Sequence, residues 1–367
     1  MRNISKDNKI LVAMSGGVDS STTAALLVNK GYDVTGAYMV NFDSTENNIY
    51  DEDDLNLECW RNDYRDALRV AAHLDIDLLR FDFKKEYRKF VLDYMFEEYK
   101  AGRTPNPDVL CNKSVKFGAW LKEARNRGFD KLATGHYAKI KKEENEYHLM
   151  QPKDKDKDQT YFLHQLAQQQ LKHTLFPLGE HTKQEVRDMA KDFNLPTAKR
   201  DESMGICFVG EVPMDEFLKQ KIDTEPGDII QDETDEKIGK HEGLMFYTIG
   251  QRRGFEQPGG DKPLYVIEKD LENNKLIVGY EDNPKLYSKQ VEIEEINWIL
   301  GEQPNLPCSC KVRYRHLQEL KPAKVFIQDE KIIIKFTEPQ RAVTPGQFTV
   351  FYKNGECLGG GVVATRL

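Results

Sequence analysis

Ser15-Gly16-Gly17-Val18-Asp19-Ser20 follows an apolar run, Ile10-Leu11-Val12-Ala13-Met14, and precedes a helix-forming stretch from Ser21 to Lys30. The order reads as buried strand, tight turn, helix. Two adjacent glycines let the backbone bend where a side chain would collide, and let N–H groups converge on one concavity. Such a concavity at a helix N-terminus binds anions, through free N–H groups and the positive end of the helix dipole. Ser15 and Ser20 add hydroxyl donors. Asp19 is the odd member: a carboxylate beside a phosphate is repulsive unless a cation lies between them, which implies Mg²⁺.

This is not a Walker A loop, because G-x-x-x-x-G-K-[ST] requires a lysine that the stretch lacks. It resembles the PP-loop, S-G-G-x-D-S, of the ATP pyrophosphatases. That resemblance implies cleavage of ATP between its α and β phosphates and adenylation of a substrate oxygen.

Outward from the loop, residues 9–40 alternate strand, helix and strand. This is the signature of βαβ units on a parallel sheet, whose phosphate ligands sit at the carboxyl ends of the strands. Met39 falls at the end of the second strand, where an adenine ring or plain core packing suits it equally. Residues 41–58 are acidic and aperiodic, without the spacing of a calcium loop. Arg61 to Leu74 reads as an amphipathic helix, Ile76 to Phe83 as a strand and Lys85 to Lys100 as a helix.

The second informative stretch is Gly102-Arg103-Thr104-Pro105-Asn106-Pro107-Asp108-Val109-Leu110-Cys111-Asn112-Lys113. Its prolines and glycine fix a loop, with a helix expected over Ser114–Arg127. Cys111 then lies near a helix N-terminus with Lys113 and Lys116 close by, and both features favour thiolate. An isolated cysteine is more often buried and inert; the basic helix start reverses that preference. Asp108 is placed to exchange protons with the thiol or with substrate. After a short strand, Phe129 to Ala133, come Thr134-Gly135-His136-Tyr137. Gly135 allows a nucleotide to approach the backbone, and His136 reads either as a substrate contact or as a structural histidine. A hairpin is expected over residues 138–150. Asp154-Lys155-Asp156-Lys157-Asp158 reads as a solvated loop. Thr182 to Phe193 reads as a helix, with Thr182 and Glu185 spaced as a capping box.

The third informative stretch is Asp201-Glu202-Ser203-Met204-Gly205-Ile206-Cys207-Phe208-Val209-Gly210. A cysteine between Ile and Phe is ordinarily core. A second reactive-cysteine candidate, Cys111, changes the weighting, because two cysteines meeting at one site can exchange sulfur or form a transient disulfide. Zinc is disfavoured, since neither has a partner at C-x-x-C spacing. Cys308-x-Cys310 offers two ligands, which is not a metal site.

Beyond Val212 the strand–helix alternation stops. Tyr247-Thr248-Ile249-Gly250-Gln251-Arg252-Arg253-Gly254 suits a phosphate contact or an exposed loop. From Leu264 onward, hairpins are expected at Asn273-Asn274, Asp329-Glu330 and Asn354-Gly355, and regular short strands of this kind predict a small β-barrel. The fold class is therefore α/β: an N-terminal parallel-sheet PP-loop domain over residues 1–212, a small central α+β domain over 213–282 and a C-terminal β-barrel over 283–367.

The chain has 367 residues, with 53 Lys and Arg against 61 Asp and Glu, for a net charge of −8. An acidic sum argues against a nucleic-acid partner, but the charge is segregated. Residues 100–131 hold eight basic and three acidic side chains, and residues 308–324 hold five basic against Glu319 alone. Local patches of this kind fit either a polyanion on one face or ordinary solvated surfaces. Arg313, Tyr314 and Arg315 alternate as an RNA-facing strand does. With a mean hydropathy of −0.66 and no run of 18 apolar residues, no membrane span is expected. Six cysteines without a framework spacing, and the absence of a signal-like apolar segment in Met1–Ile10, point to a reducing cytoplasmic setting.

Taken together, Ser15–Ser20, Gly102–Lys113, Ala133–Tyr137, Asp158-Gln159-Thr160-Tyr161-Phe162, Gly205-Ile206-Cys207-Phe208, Tyr247–Arg252 and Thr344-Pro345-Gly346-Gln347 resemble the bacterial and mitochondrial tRNA 2-thiouridylase family over essentially the whole chain. Glu202-Ser203-Met204 stands where many members have Asp-Ser-Thr. The resemblance implies ATP-dependent thiolation of carbon 2 of the wobble uridine in tRNAs for Lys, Glu and Gln. It assigns Ala13, Met14, Ser15, Gly16, Gly17, Val18, Asp19, Ser20, Met39 and Gly135 to ATP. It makes Cys207 the carrier of a persulfide received from a cysteine desulfurase or a sulfur-relay protein, and Cys111 the thiol that releases the sulfur by forming a disulfide with Cys207. Asn106, Pro107 and Asp108 bracket the target base, with Asp108 a candidate acid–base. His136, Lys157, Asp158, Gln159, Arg313, Tyr314 and Gln347 touch tRNA. Two rival readings remain at this point: a small-molecule PP-loop ligase, and a non-catalytic RNA-binding protein.

Overall fold

The computed structural model describes residues 8–42, 59–201, 214–219, 221–255 and 262–367. Five parallel strands build the first sheet: β1 (Lys9–Ala13), β2 (Asp33–Val40), β3 (Leu78–Asp82), β4 (Lys131–Ala133) and β7 (Thr174–Leu175), in the order β3-β2-β1-β4-β7. Ile10, Leu11 and Val12 of β1 are fully buried, as a strand covered by helices on both faces must be. Helix α1 (Val18–Asn29) follows β1 directly. Strand order reverses between β1 and β4, so the loop after β1 and the loop after β4 face each other across a topological switch point.

One helix differs from the sequence expectation in where it starts. The chain is helical from Pro107 through Asn126 rather than from Ser114. Asn106 caps it by accepting from the Val109 N–H at 3.4 Å, and Pro107 occupies the first helical position, where its missing N–H costs nothing. Cys111 therefore sits one turn inside the helix, at the start of a wide-turn π segment, Cys111–Trp120. The helical run over residues 84–100 carries a similar π segment, Arg88–Leu92. Such segments are uncommon, and they re-aim the side chains that follow.

The central region forms a four-stranded sheet in the order β10-β11-β8-β9, from β8 (Gly227–Gln231), β9 (Glu236–His241), β10 (Tyr265–Asp270) and β11 (Lys275–Gly279). The short helix Met214–Lys219 precedes it. The C-terminal region is a closed antiparallel barrel of β12 (Tyr287–Trp298), β13 (Cys308–Arg313), β14 (Lys321–Gln328), β15 (Lys331–Arg341), β16 (Phe348–Lys353) and β17 (Glu356–Arg366). The pairing of β12 with β17 closes it. All three expected hairpins are present, at Asn273-Asn274, Asp329-Glu330 and Asn354-Gly355.

The hairpin expected over 138–150 is also present, as β5 (Lys139–Glu143) and β6 (Glu146–Met150), but it does not belong to the parallel sheet. β6 pairs with β17 through Met150–Glu356 and Leu149–Cys357. The barrel sheet thereby continues into the sequence of the N-terminal α/β region. The seam beneath is apolar: Tyr161, Leu149, Phe348 and Val350 share one core, and the Tyr161 hydroxyl donates to the Phe348 carbonyl at 3.1 Å.

His164 lies in this seam with no exposed surface; its Nδ1 is 2.6 Å from the Tyr161 carbonyl. Burial pushes its pKa down to about 3. Near pH 6 the unfolded chain takes up a proton at this residue and the folded chain does not, so stability must fall as pH drops from about 6.5 toward 3. Urea unfolding at pH 7 and pH 5 is expected to show this loss, and His164→Gln is expected to lessen it by up to about 1.4 kcal/mol per pH unit. Equal losses in the two proteins would assign the pH dependence to other groups.

Candidate functional site

The PP-loop occupies the carboxyl end of β1. Gly16 has φ +77°, and a Cβ there would lie 2.3 Å from the Asp63 carbonyl oxygen, so only glycine fits. Gly17 is the N-cap of α1 and makes no side-chain cap. The first N–H groups of the helix are thus left to a ligand. The Ser20 hydroxyl shapes the turn from within, accepting from the Ser15 N–H at 3.1 Å and donating to the Gly17 carbonyl at 3.0 Å. Arg200 holds the loop from outside. It donates to the Gly16 carbonyl at 3.0 Å, to Asp66 at 2.7 Å and to Asp63. Gly135, after β4, comes so close that a Cβ would sit 3.0 Å from the Ser20 nitrogen. Ala13, Met14, Val18 and Gly135 thus frame the loop. The Met39 side chain is buried in the core at the end of β2.

Asp19 has partners that its local sequence does not announce. Lys183 Nζ lies 2.7 and 2.8 Å from its two carboxylate oxygens, and the Tyr137 hydroxyl donates to it at 3.0 Å. The Lys183 ammonium also sits 5.8 Å from the Tyr137 ring centroid. A lysine is therefore present at this loop after all. It comes from the first position of the helix Lys183–Asp192, whose Thr182–Glu185 capping box is formed as expected. The capping signal located the helix start but said nothing of where Lys183 points.

The second stretch lies beside the loop. Cys111 is 1% exposed and packs in the same core as Met39. Its sulfur is 4.0 Å from Nδ2 of Asn41, just past the end of β2. Lys116 is buried one wide turn along the same helix. The charge of Lys116 adds to burial in pushing the His136 pKa well below 6.5, so the imidazole stays neutral; its Nδ1 is 2.7 Å from the Thr134 hydroxyl. The approach to Cys111 is held by all three regions of the chain. The Thr104 N–H donates to the Pro345 carbonyl at 3.1 Å, and Gln347 Nε2 donates to the Thr104 and Pro105 carbonyls at 2.9 and 3.2 Å. The Thr104 hydroxyl lies 3.3 Å from that of Thr248. Asn106, Pro107 and Asp108 follow on this braced segment. Cys207 lies outside the described residues.

The residues assigned to tRNA divide into two groups. His136, Lys157 and Gln159 keep some exposed surface. Asp158, Arg313 and Tyr314 are buried at 0, 6 and 3% exposure, and they bond within the protein. Gln347, too, is engaged with the Thr104–Pro105 backbone. Among the described residues, no cluster of three or more His, Cys, Asp or Glu side chains could hold a metal by itself, and no helix is long and apolar enough to cross a membrane. A cavity of about 890 Å³ opens away from the PP-loop, against the central sheet; Tyr99, Lys219, Phe246 and Gln251 line it.

Three family models match consecutive parts of the chain: the tRNA methyl transferase HUP domain over residues 8–211, the tRNA methyl transferase PRC-barrel domain over 215–280 and the aminomethyltransferase beta-barrel domain over 288–363. The tRNA-specific 2-thiouridylase MnmA of Shouchella clausii is 46% identical over 98% of this chain and 97% of its own length. That of Halalkalibacterium halodurans is 45% identical over 98% and 95%. The chain belongs to the tRNA-specific 2-thiouridylase family. Among solved structures, NMN synthetase from Francisella tularensis has a TM-score of 0.31 and 14% identity over 59% of this chain and 79% of its own, a likeness too weak to argue from.

Gly16→Ala forces a Cβ against the Asp63 backbone and is expected to abolish measurable ATP binding by calorimetry while the thermal unfolding midpoint shifts by only a few degrees. Retained ATP affinity would show that the loop tolerates a different turn.

Proposed function

We propose that this chain replaces oxygen 2 of the wobble uridine in tRNAs for Lys, Glu and Gln with sulfur, consuming ATP. The observation that carries the reading is the placement of a glycine turn with an uncapped helix start and of Cys111 at the same end of one parallel sheet, beside a loop braced by all three regions of the chain. The relatives' printed name, tRNA-specific 2-thiouridylase, supports it.

A uracil carbonyl oxygen is a poor leaving group. Its attack on the α-phosphorus of ATP expels pyrophosphate and turns that oxygen into part of AMP. The terminal sulfur of a persulfide on Cys207 then attacks carbon 2, and AMP departs with the former oxygen. The Cys111 thiolate attacks the Cys207 sulfur, breaking the S–S bond. The product keeps its sulfur as a thiocarbonyl, and the two cysteines are left as a disulfide. A dithiol reductant restores them, and a cysteine desulfurase or relay protein reloads Cys207. Asp108 is placed to move the proton that must leave the base or the thiol. Extruding a base from an anticodon loop costs less than extruding one from a duplex.

The α1 amides, the Ser15 hydroxyl and Lys183 hold the phosphates in this reading. Asp19, already met by the Lys183 ammonium and the Tyr137 hydroxyl, would offer Mg²⁺ one carboxylate ligand, and the ion, taking its other ligands from phosphates and water, would screen phosphate charge. Lys183 keeps the Asp19 carboxylate neutralised and lends its ammonium to the departing pyrophosphate.

Unmodified tRNA for Glu, Mg-ATP and a desulfurase with cysteine, incubated with the protein, are expected to give a thiol-retarded tRNA band. Cys111→Ala and Cys207→Ala are both expected to lose it. Thiolation surviving in either variant would refute the two-cysteine sulfur chemistry, and tRNA-independent ATP turnover with a small molecule would favour a ligase. Lys183→Met is expected to lower the rate of pyrophosphate release by about 10²–10³, the usual effect of deleting one group that stabilises developing charge.

A further inference from the structure

The segment from Gln151 to Thr160 touches the barrel on one side and the PP-loop's partners on the other. Asp158 has no exposed surface. One of its oxygens accepts from Gln151 Nε2 at 2.6 Å and from Arg313 of β13 at 3.1 Å. The other accepts from the Thr160 N–H at 3.0 Å and its hydroxyl at 2.6 Å. Arg313 is fixed in turn by the Gln318 carbonyl at 2.7 Å, and its guanidinium lies 5.5 Å from the Tyr352 ring centroid. The Gln151 N–H donates to the Gly355 carbonyl in the β16–β17 turn at 2.8 Å.

From this anchor two arms reach the nucleotide loop. Gln159 clamps Tyr137 at both backbone groups: its N–H donates to the Tyr137 carbonyl at 3.0 Å, and its side-chain oxygen accepts from the Tyr137 N–H at 2.9 Å. Tyr137 then donates its hydroxyl to Asp19. The second arm is Asp154, whose carboxylate accepts from the Lys183 N–H at 2.8 Å, at the start of the helix that aims Lys183 at Asp19. Both partners of the PP-loop carboxylate are thus placed by one segment, and a barrel arginine locks that segment.

We infer that Arg313 is a positioning residue for the ATP site, acting through Asp158, Gln159 and Tyr137 on Asp19; the inference rests on the ATP-using reading above. The barrel then does more than present a surface to RNA. It sets the geometry in which the triphosphate is held.

Deleting the guanidinium outright would leave a buried, unpaired carboxylate and endanger the fold. Arg313→Lys keeps the charge and loses the planar two-point hold. Gln159→Ala removes one clamp on Tyr137 and leaves Asp158 paired. Affinity for the α,β-methylene analogue of ATP, measured with Mg²⁺ by calorimetry, and affinity for unmodified tRNA, measured by filter binding, separate the alternatives. Arg313→Lys, Gln159→Ala and Tyr137→Phe are each expected to weaken the analogue about tenfold, as for loss of one hydrogen bond to a charged group, with tRNA affinity within about twofold of wild type. In the double variant Arg313→Lys/Tyr137→Phe the losses are expected not to add, because both break one chain of contacts. Additive losses would overturn the inference; a fall in tRNA affinity with the analogue's affinity unchanged would overturn it too and tie Arg313 to RNA binding. If the wild-type protein fails to bind the analogue, the ATP reading fails with it; if wild type binds and the variants bind equally well, only the positioning role fails.

Discussion

Asp158 places a carboxylate where it has no exposed surface. Such a group persists only when its lone pairs are met by donors and its charge by a cation. Here the donors come from one stretch of chain and the cation from another 155 residues away. That pairing lets two architectures, a parallel sheet with helices and a closed antiparallel barrel, share one interior. Were the arginine elsewhere, the segment around Asp158 would have to turn outward to solvate its carboxylate. Tyr137 and the helix carrying Lys183 would then lose their fixed positions.

The PP-loop shows the complementary constraint. In the proposed function it uses backbone N–H groups that no side chain caps, and such groups stay open only where the surroundings prevent them from collapsing onto a neighbour. Arg200 pins the carbonyl side of the turn, Ser20 fills the inside, and Gly135 closes the far wall at van der Waals range. The loop stays open because it is surrounded by contacts that leave those donors alone.

Features that depend on neighbouring residues were legible in the sequence. The glycine turn, the Thr182 capping box and the Asn-Gly hairpin each state their geometry within a few positions. The helix start at Pro107 was legible too, since Asn106-Pro107 is a cap followed by a first-turn proline, yet the two flanking prolines draw the eye to a loop. Pairings across the chain were not legible. Nothing around Asp19 announces a lysine 164 residues on. Nothing in Asp154-Lys155-Asp156-Lys157-Asp158 distinguishes the exposed Lys155 and Asp156 from the buried Asp158; only the distant arginine does. Arg313 and Tyr314 look like an RNA-facing strand because alternation reveals that a strand has two faces, without revealing which of them is covered.

The pairing of β6 with β17 bears on how the protein is made. A ribosome releases the β5–β6 hairpin some two hundred residues before the strand that completes its sheet. Through that interval β6 presents an unpaired edge, the kind of edge that recruits strands from other chains. Closing so long a loop is entropically slow relative to local steps. The nascent N-terminal α/β region must therefore wait, with its seam unsealed, for the last strand of the barrel. Its exposure to aggregation is set by the speed of translation as much as by the stability of the finished fold.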